Sequence, residues 1–470
     1  MRDKPVQKNV IIYFFAKVIN GGSQFIFLPL FSHFLNPSEY AIIVSLELIS
    51  VFIQTLSTIG VERVIVTFWY NEKIAQNRNV FVSTILIITT LSASLIALLI
   101  YFTFPLYIDL VPGLTKKYYV LLIILRQYFL SFLILPKSIY QITNQAIKYF
   151  NLNIIYPVIN LIILLLLINF FPLSVDVILL VALFSSAIAL LIVVKNIFPF
   201  IESPYFDKIF AKKTIKFAWP FFPALFFSWI ITVSNRILLD GKINNVELAN
   251  FGMSQNLSQS IILICSSMLI ALTPKIFSNL NNLKTKDIVN KMFYDLFIIY
   301  LAVYFFLSIW QIIYCQLFLS SSYLMTSQLI KYQLAIFLFS SFSGAFGLIY
   351  NHNNKTKINM LFGLISCVIY IALNFLLIPQ YGILGALIGT FVANFSIFLI
   401  QNYYLHFNKI FIIKINRILI LFIISFSFIY YIENFIIENL ITSAVFMIIF
   451  SLISIKFFTI KFDKVLFFKE

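Results

Sequence analysis

The sequence predicts an all-α integral membrane protein with about fourteen membrane-spanning helices, each of which needs roughly 20 apolar residues. Composition is one reason, because 61% of the 470 residues are hydrophobic and only 11% are charged, whereas soluble domains carry about 25% charged residues. Long apolar runs such as LLIILRQYFLSFLIL at 121–135 are a second reason, since a chain that crosses lipid satisfies its backbone polar groups by forming helices. The placement of the basic residues is the third.

Lys and Arg residues collect on alternate connections between the apolar runs. With the N-terminus counted as inside, most of the 33 basic residues lie on inner connections, and the outer connections carry only Lys116, Lys117, Arg236 and Lys242. This is the pattern of the positive-inside rule, which places both termini in the cytoplasm. Topology and anionic lipid headgroups therefore account for the net charge of +16, and the charge does not indicate a nucleic-acid partner.

The predicted spans follow one another with short connections, at about 9–35, 40–66, 80–106, 118–136, 154–171, 176–198, 215–239, 248–273, 291–316, 328–350, 358–378, 383–405, 411–431 and 439–460. The N-terminus lacks a cleavable signal pattern, so the first run is kept as a span. Gly21-Gly22 and Pro29 interrupt span 1, and Pro220 and Pro223 interrupt span 7. Such residues are frequent in membrane helices, and they also provide hinges between transport states; both interpretations stay open.

Short sequence motifs of the first six spans recur at matching places in the next six spans. Glu39-Tyr40-Ala41 recurs as Glu247-Leu248-Ala249, and Phe171-Pro172 recurs as Ile378-Pro379 at almost the same offset, all on outer connections. Parallel repeats of this kind build a path between two rocking halves. The predicted organisation is therefore a first lobe at 1–200, a cytoplasmic linker at 201–214, a second lobe at 215–405, and two further spans with a cytoplasmic tail at 406–470.

Several ionisable residues lie inside predicted spans, where they are costly and usually face a water-filled cavity or a partner; they are Lys17, Glu47, Arg63, Arg126, Arg236 and Lys331. Lys17, Glu47 and Arg126 are the deepest. The set is mainly cationic, which suits an anionic substrate, because Arg matches phosphate oxygens with a two-pronged fork and Lys acts as a point charge.

Other readings of these charges stay open. Lys17 could instead extend to the inner interface, and Arg63, Arg236 and Lys331 fit interfacial anchoring as well as a site. Glu47, the deep carboxylate, either carries a coupling proton, because burial raises the pKa of a carboxyl group, or neutralises Lys17 as a structural pair.

The sequence contains no catalytic or metal-binding constellation. His33, His352 and His406 lie singly at span ends, and neither an HExxH motif nor a phosphate-binding GxxxxGK[ST] loop is present. The three cysteines, Cys265, Cys315 and Cys367, form no CxxC pair and are predicted to be small buried hydrophobes. We therefore expect no enzyme activity, no cofactor and no metal, and transport driven by an ion or substrate gradient.

Three stretches resemble one known family: LNPSEYAIIVSLELI at 35–49, FAWPFFPALFFSWIITVSNRILLDG at 217–241 and ALNFLLIPQYGILGALIGT at 372–390. They are similar to bacterial polysaccharide flippases of the Wzx or O-antigen translocase type, within the multidrug/oligosaccharidyl-lipid/polysaccharide exporter superfamily. Two positions depart from the family pattern. Ala41 stands where the family favours Gly, and Asn235 stands where it favours Asp, so Arg236 lacks the usual adjacent acid.

The resemblance implies a V-shaped transporter with two six-helix lobes that moves an undecaprenyl-pyrophosphate-linked oligosaccharide from the cytoplasmic to the outer leaflet of the inner membrane by alternating access. Such a transporter serves O-antigen, lipopolysaccharide or capsule biosynthesis. Lys17, Arg63, Arg126 and Arg236 would then bind the pyrophosphate, and H+ or Na+ antiport would involve Glu47. The resemblance also implies a monomer surrounded by membrane lipids, compatible with association with polymerase and chain-length machinery.

Three alternatives remain from the residues. An ion-coupled multidrug or metabolite exporter of the same superfamily predicts an acid-lined apolar cavity, whereas the deep residues here are more basic than acidic. A membrane polymerase or glycosyltransferase needs a catalytic acid or a sizeable outer loop, and no outer connection exceeds about a dozen residues. A structural scaffold gives no reason for Lys17, Glu47 and Arg126 in the bilayer.

Overall fold

The computed structural model describes residues 12, 16, 19, 21–58, 60–69, 74, 76–104, 116–197, 206–219, 221–239, 241–280, 286–352, 356–408 and 415–438. Within these ranges all regular structure is helical and no strand occurs. The predicted all-α fold class is therefore confirmed.

Packing divides the chain into two compact units. The first comprises Met1–Ser23 and Phe34–Gly241, and the second comprises Gln24–His33 and Lys242–Glu470. Span 7 thus packs in the first unit, and the outer part of span 1 packs in the second. These units reflect packing, whereas the predicted lobes rest on an internal repeat, so the lobe limits stay a prediction.

The first helix along the chain is the short helix α1 (Gln24–Phe34), which belongs to the second unit up to His33. The helices of the first unit therefore begin with α2. They are α2 (Pro37–Ser57), α3 (Val61–Phe68), α4 (Arg78–Thr103), α5 (Lys117–Ser131), α6 (Ile134–Ile142), α7 (Ala146–Ile168), α8 (Val175–Ile197), α9 (Lys208–Ala218), α10 (Phe221–Val233) and α11 (Asn235–Leu239). Helix α2 packs against α4, α5 and α10. A buried cluster of apolar side chains from α3, α4, α6, α7 and α8 forms one core of this unit.

The second unit contains the longest helices of the described residues. After α1 they are α12 (Asn245–Ser258), α13 (Ser260–Leu280), α14 (Lys286–Phe318), α15 (Met325–His352), α16 (Thr356–Phe407) and α17 (Ile415–Glu438). Helix α15 packs against α12, α13, α14 and α16, so it lies at the centre of this unit. An aromatic core of Phe297, Phe342, Phe346 and Phe398 joins α14, α15 and α16. The free cysteines Cys265, Cys315 and Cys367 are all buried, which confirms the prediction made for them.

Nine helices in the described part of the chain are long and apolar enough to cross a membrane. The longest, Lys357–Phe407, covers two predicted spans, and α10 with α11 forms a shorter apolar segment at predicted span 7. Span 14 lies outside the described residues. The protein is therefore a multi-pass membrane protein, and the number of about fourteen spans stays a prediction.

The repeated sequence around Glu39 and Glu247 has a local structural meaning, because each copy begins a helix with a capping box. The backbone N–H of Asn36 donates to Glu39 Oε2 at 3.2 Å at the start of α2. At the start of α12, Asn244 N–H donates to Glu247 Oε2 at 3.1 Å, and Glu247 N–H donates to Asn244 Oδ1 at 2.8 Å. The same acid thus satisfies a free backbone donor at both helix starts.

A sharp break divides α16 between predicted spans 11 and 12. Gly382 has φ 55° and ψ −126°, a conformation that L side chains rarely adopt. Gly385 follows it at a close approach of two backbones, where an added Cβ would collide with the carbonyl group of Leu377 and lie 2.9 Å from the amide nitrogen of Ile378. The two glycines therefore allow the chain to reverse within one nominally continuous helix.

Replacing Gly385 with alanine is expected to lower the free energy of unfolding by about 1–3 kcal/mol, because the new methyl group meets fixed backbone. Titration of the purified protein with SDS in mixed micelles measures the change. Gly344→Ala in α15 is the matched control, since a Cβ there meets nothing within 4 Å and alanine favours a helix interior. Equal unfolding midpoints for the two variants would contradict the close approach.

Candidate functional site

The exposed side of α2 is unusually polar for a membrane-spanning helix. Glu47 has 40% of its side chain exposed, Gln54 is exposed, and Thr55 is half-buried, while Val51 between them is 40% exposed. Because they stand four and seven residues apart, Glu47, Val51 and Gln54 share one face. We call Glu47, Val51, Gln54 and Thr55 the α2 polar stripe.

Other spans of the same unit expose a different kind of surface. The large side chains that α4 exposes include Leu91, Leu95 and Leu98, with Leu95 64% exposed, which is what contact with lipid requires. A carboxylate and an amide on a lipid-facing surface would be costly. The α2 polar stripe therefore has the chemistry of a surface that faces water or a polar substrate.

Arg236 ties α11 to α2. Its guanidinium, in a residue only 2% exposed, donates to the backbone carbonyl of Val44 at 2.6 Å and to Glu47 Oε2 at 3.5 Å. The acid that this arginine lacks at position 235 is thus supplied from α2. Glu47 contacts Arg236, and 40% of its side chain remains exposed. Lys17 lies outside the described residues, so the alternative that pairs Glu47 with Lys17 stays open.

Arg126, unlike Arg236, has no acidic neighbour among the described residues. It is half-buried in α5, its guanidinium carbon lies 5.7 Å from the ring centroid of Tyr156, and its Nε has no hydrogen-bond partner in the described part of the chain. The adjacent Gln127 donates to Ser50 Oγ, which fixes α5 against α2 one turn from Glu47. A half-buried cation whose described neighbours are a ring face and no carboxylate retains capacity to bind an anion.

The other predicted cations are less defined. Lys17 lies outside the described residues. Arg63 lies in α3, but its side chain is outside the described part. The structure therefore brings Arg236 together with Glu47, places Arg126 on the helix that packs against α2, and leaves the pyrophosphate assignment of all four cations a prediction.

Lys331 forms a buried ion pair that sequence reasoning did not foresee. Its ammonium group contacts the carboxylate of Glu433 in α17, in residues that are 5% and 3% exposed. The rings of Tyr332 and Tyr430 lie with centroids 5.1 and 4.6 Å from the ammonium nitrogen. The signal in the sequence was a base near the outer start of span 10 and an acid just beyond span 13, both at the same membrane depth.

A smaller cluster joins the outer ends of α5 and α8. Lys116 Nζ donates to Asp176 Oδ2 at 3.1 Å, Tyr119 Oη donates to the same oxygen at 3.1 Å, and Tyr118 donates to the other carboxylate oxygen. The contact with Asp176 raises the pKa of Lys116 above its usual value. The charges satisfy each other, so this cluster stabilises the connection between two spans and has no group left for a ligand.

Comparison with known proteins adds to this geometry. A family model described as "Polysaccharide biosynthesis protein" matches residues 6–280. No curated protein matches the chain.

Solved structures share the fold. A lipid II flippase, MurJ, in an inward closed conformation aligns over 95% of this chain and 98% of its own, with a TM-score of 0.65 and 18% identity. A multidrug transporter of the MATE family, DinF-BH, aligns over 88% and 98% with a TM-score of 0.64 and 14% identity. An inward-facing MATE family transporter of the MOP superfamily covers 85% and 98%, with a TM-score of 0.63 and 11% identity.

Proposed function

Because the chain belongs to the polysaccharide biosynthesis protein family, we propose that it is a flippase that moves an undecaprenyl-pyrophosphate-linked oligosaccharide from the cytoplasmic to the outer leaflet of a bacterial inner membrane. The fold supports this proposal, since it is shared with MurJ, a lipid II flippase, over almost the whole chain. The product would enter O-antigen, lipopolysaccharide or capsule biosynthesis.

The environment of Arg126 is the observation on which the proposal depends. It is a half-buried guanidinium in a membrane span, with a ring face beside it and no carboxylate partner among the described residues. A guanidinium binds two phosphate oxygens at once with strong charge-assisted hydrogen bonds. A pyrophosphate headgroup that passes α5 would supply the negative charge that the described residues around Arg126 do not.

Glu47 supports a gradient-driven mechanism. Its carboxylate is partly exposed on the α2 polar stripe and also contacts Arg236, so protonation or Na+ binding at Glu47 would weaken the link between α2 and α11. The proposal includes H+ or Na+ antiport and no enzymatic chemistry. The protein would act as a monomer with both termini in the cytoplasm. The polymerase and chain-length machinery would be its downstream partners.

A second candidate is an ion-coupled multidrug exporter. The exposed carboxylate of Glu47 in a membrane span suits an organic cation, and the fold is shared with MATE multidrug transporters. The flippase is preferred because the family model described as "Polysaccharide biosynthesis protein" matches this chain over residues 6–280.

Deletion of the gene in the source bacterium tests the proposal, with the wild-type gene on a plasmid as control. We expect single oligosaccharide units on undecaprenyl pyrophosphate to accumulate on the cytoplasmic face and surface polysaccharide to disappear. Units that reach the outer face but stay unpolymerised would instead assign polymerase activity. Unchanged surface polysaccharide with increased sensitivity to small organic cations would assign drug export.

A further inference from the structure

Trp229 is held rigidly beside the α2 polar stripe. Its indole N–H donates to the backbone carbonyl of Leu48 at 3.2 Å. The ring of Phe226 stacks on it with centroids 6.1 Å apart and planes 21° apart, and the ring of Phe52 tilts against it at 4.7 Å. Two χ angles and three contacts therefore fix the indole plane before any ligand arrives.

The position of Trp229 does not suit a membrane-interface role. Tryptophans of the aromatic belt lie near span ends with their N–H groups at the headgroup level. Trp229 instead lies near the middle of predicted span 7, and its N–H group is bound to a helix backbone carbonyl of α2. The indole nevertheless remains partly exposed, so its remaining surface is available to something other than a headgroup.

Groups that recognise sugar hydroxyls lie on α2, the helix that the indole contacts. Glu47 precedes Leu48, which holds the Trp229 N–H, and Gln54 lies two turns further along the same face of α2, roughly 10 Å away. A carboxylate accepts hydrogen bonds from hydroxyl groups, and an amide both donates and accepts them. An aromatic plane that packs on the helix carrying these groups suits a sugar ring, which has an apolar C–H face and a rim of hydroxyl groups.

We propose that Trp229, supported by Phe52 and Phe226, forms a stacking surface for a sugar ring of the lipid-linked oligosaccharide, with Glu47 and Gln54 as hydrogen-bonding partners of its hydroxyl groups. This inference rests on the proposed function and assigns the carbohydrate part of the substrate to α2 and α10. The pyrophosphate is assigned separately to Arg126 on α5.

Binding of two probes to the full-length protein in lipid nanodiscs tests the assignment. One probe is the lipid-linked oligosaccharide fraction extracted from the source bacterium, and the other is undecaprenyl pyrophosphate without sugar. In Trp229→Leu, which keeps apolar volume but removes the ring, Kd for the first probe is expected to rise roughly three- to tenfold. Kd for undecaprenyl pyrophosphate is expected to stay unchanged.

Two controls separate stacking from folding. Trp229→Phe keeps an aromatic plane and should retain most of the affinity for the oligosaccharide. Trp219→Leu removes another exposed tryptophan, stacked on Phe222, and should leave both affinities unchanged.

The outcomes distinguish failure of the sugar assignment from failure of the proposed flippase function. If wild type binds both probes and Trp229→Leu changes neither Kd, or changes both equally, the sugar assignment is overturned while the flippase stands. If wild type binds neither probe, the proposed function is overturned and the sugar assignment with it. A selective loss for the oligosaccharide alone supports both.

Discussion

Replacing Lys331 with methionine is expected to lower the free energy of unfolding by about 3–5 kcal/mol, because it leaves the Glu433 carboxylate buried without its counter-charge. Only 3% of Glu433 is exposed, and its Oε1 has no hydrogen-bond partner among the described residues. The pair also connects α15, at the centre of the second unit, with α17. Unfolding of the purified protein by SDS in mixed micelles gives the midpoint and the free energy.

The matched control removes both charges together. In Lys331→Met with Glu433→Leu, no buried charge is left alone, and most of the lost stability should return, since an apolar pair of similar volume often replaces a buried ion pair at little cost. A double variant as unstable as the single one would show that packing of Lys331 against Tyr332 and Tyr430, rather than charge, stabilises α17.

Replacing Arg126 with glutamine is expected to slow movement of the lipid-linked oligosaccharide about 10- to 100-fold. A hydrogen bond to a charged group contributes about 1.5–3 kcal/mol, and each 1.4 kcal/mol corresponds to a factor of ten. Arg126→Lys should give an intermediate rate, because it keeps the charge but loses the two-pronged geometry. The measurement is the rate at which the oligosaccharide becomes accessible on the far leaflet of proteoliposomes.

Arg78→Gln is the control for this series. Arg78 also lies over an aromatic ring, that of Trp69 at 5.2 Å, but it is exposed at the start of α4. We expect its removal to leave the rate near that of the wild type. Equal losses in Arg78→Gln and Arg126→Gln would indicate a general effect of positive charge and would remove Arg126 from the proposed site.

Local features of this fold were accessible from the sequence. The repeated Asn-x-x-Glu pattern begins α2 and α12 because capping depends on residues three positions apart. The break at Gly382 falls in the connection between predicted spans 11 and 12, and glycine permits its backbone angles. The deep position of Arg126 in a span followed from counting apolar residues on both sides of it.

Pairing between distant spans was not accessible in the same way. Arg236 contacts Glu47 and Lys331 contacts Glu433 across long stretches of chain, and hydrophobic periodicity does not specify which helix lies beside which. The sequence leaves Lys17 as one candidate partner of Glu47, and only the tertiary structure shows the contact of Glu47 with Arg236. The aromatic support of Trp229 likewise depends on tertiary packing of α10 against α2.

The two capping boxes have a consequence for how this protein diversifies. The residues that fix where α2 begins, Asn36 and Glu39, lie outside the α2 polar stripe. Substitutions in the stripe therefore leave the starting point of the helix unchanged, because that point is encoded by Asn36 and Glu39. The start of this helix and its exposed polar face are therefore encoded separately, so the polar face can change while the helix start is preserved.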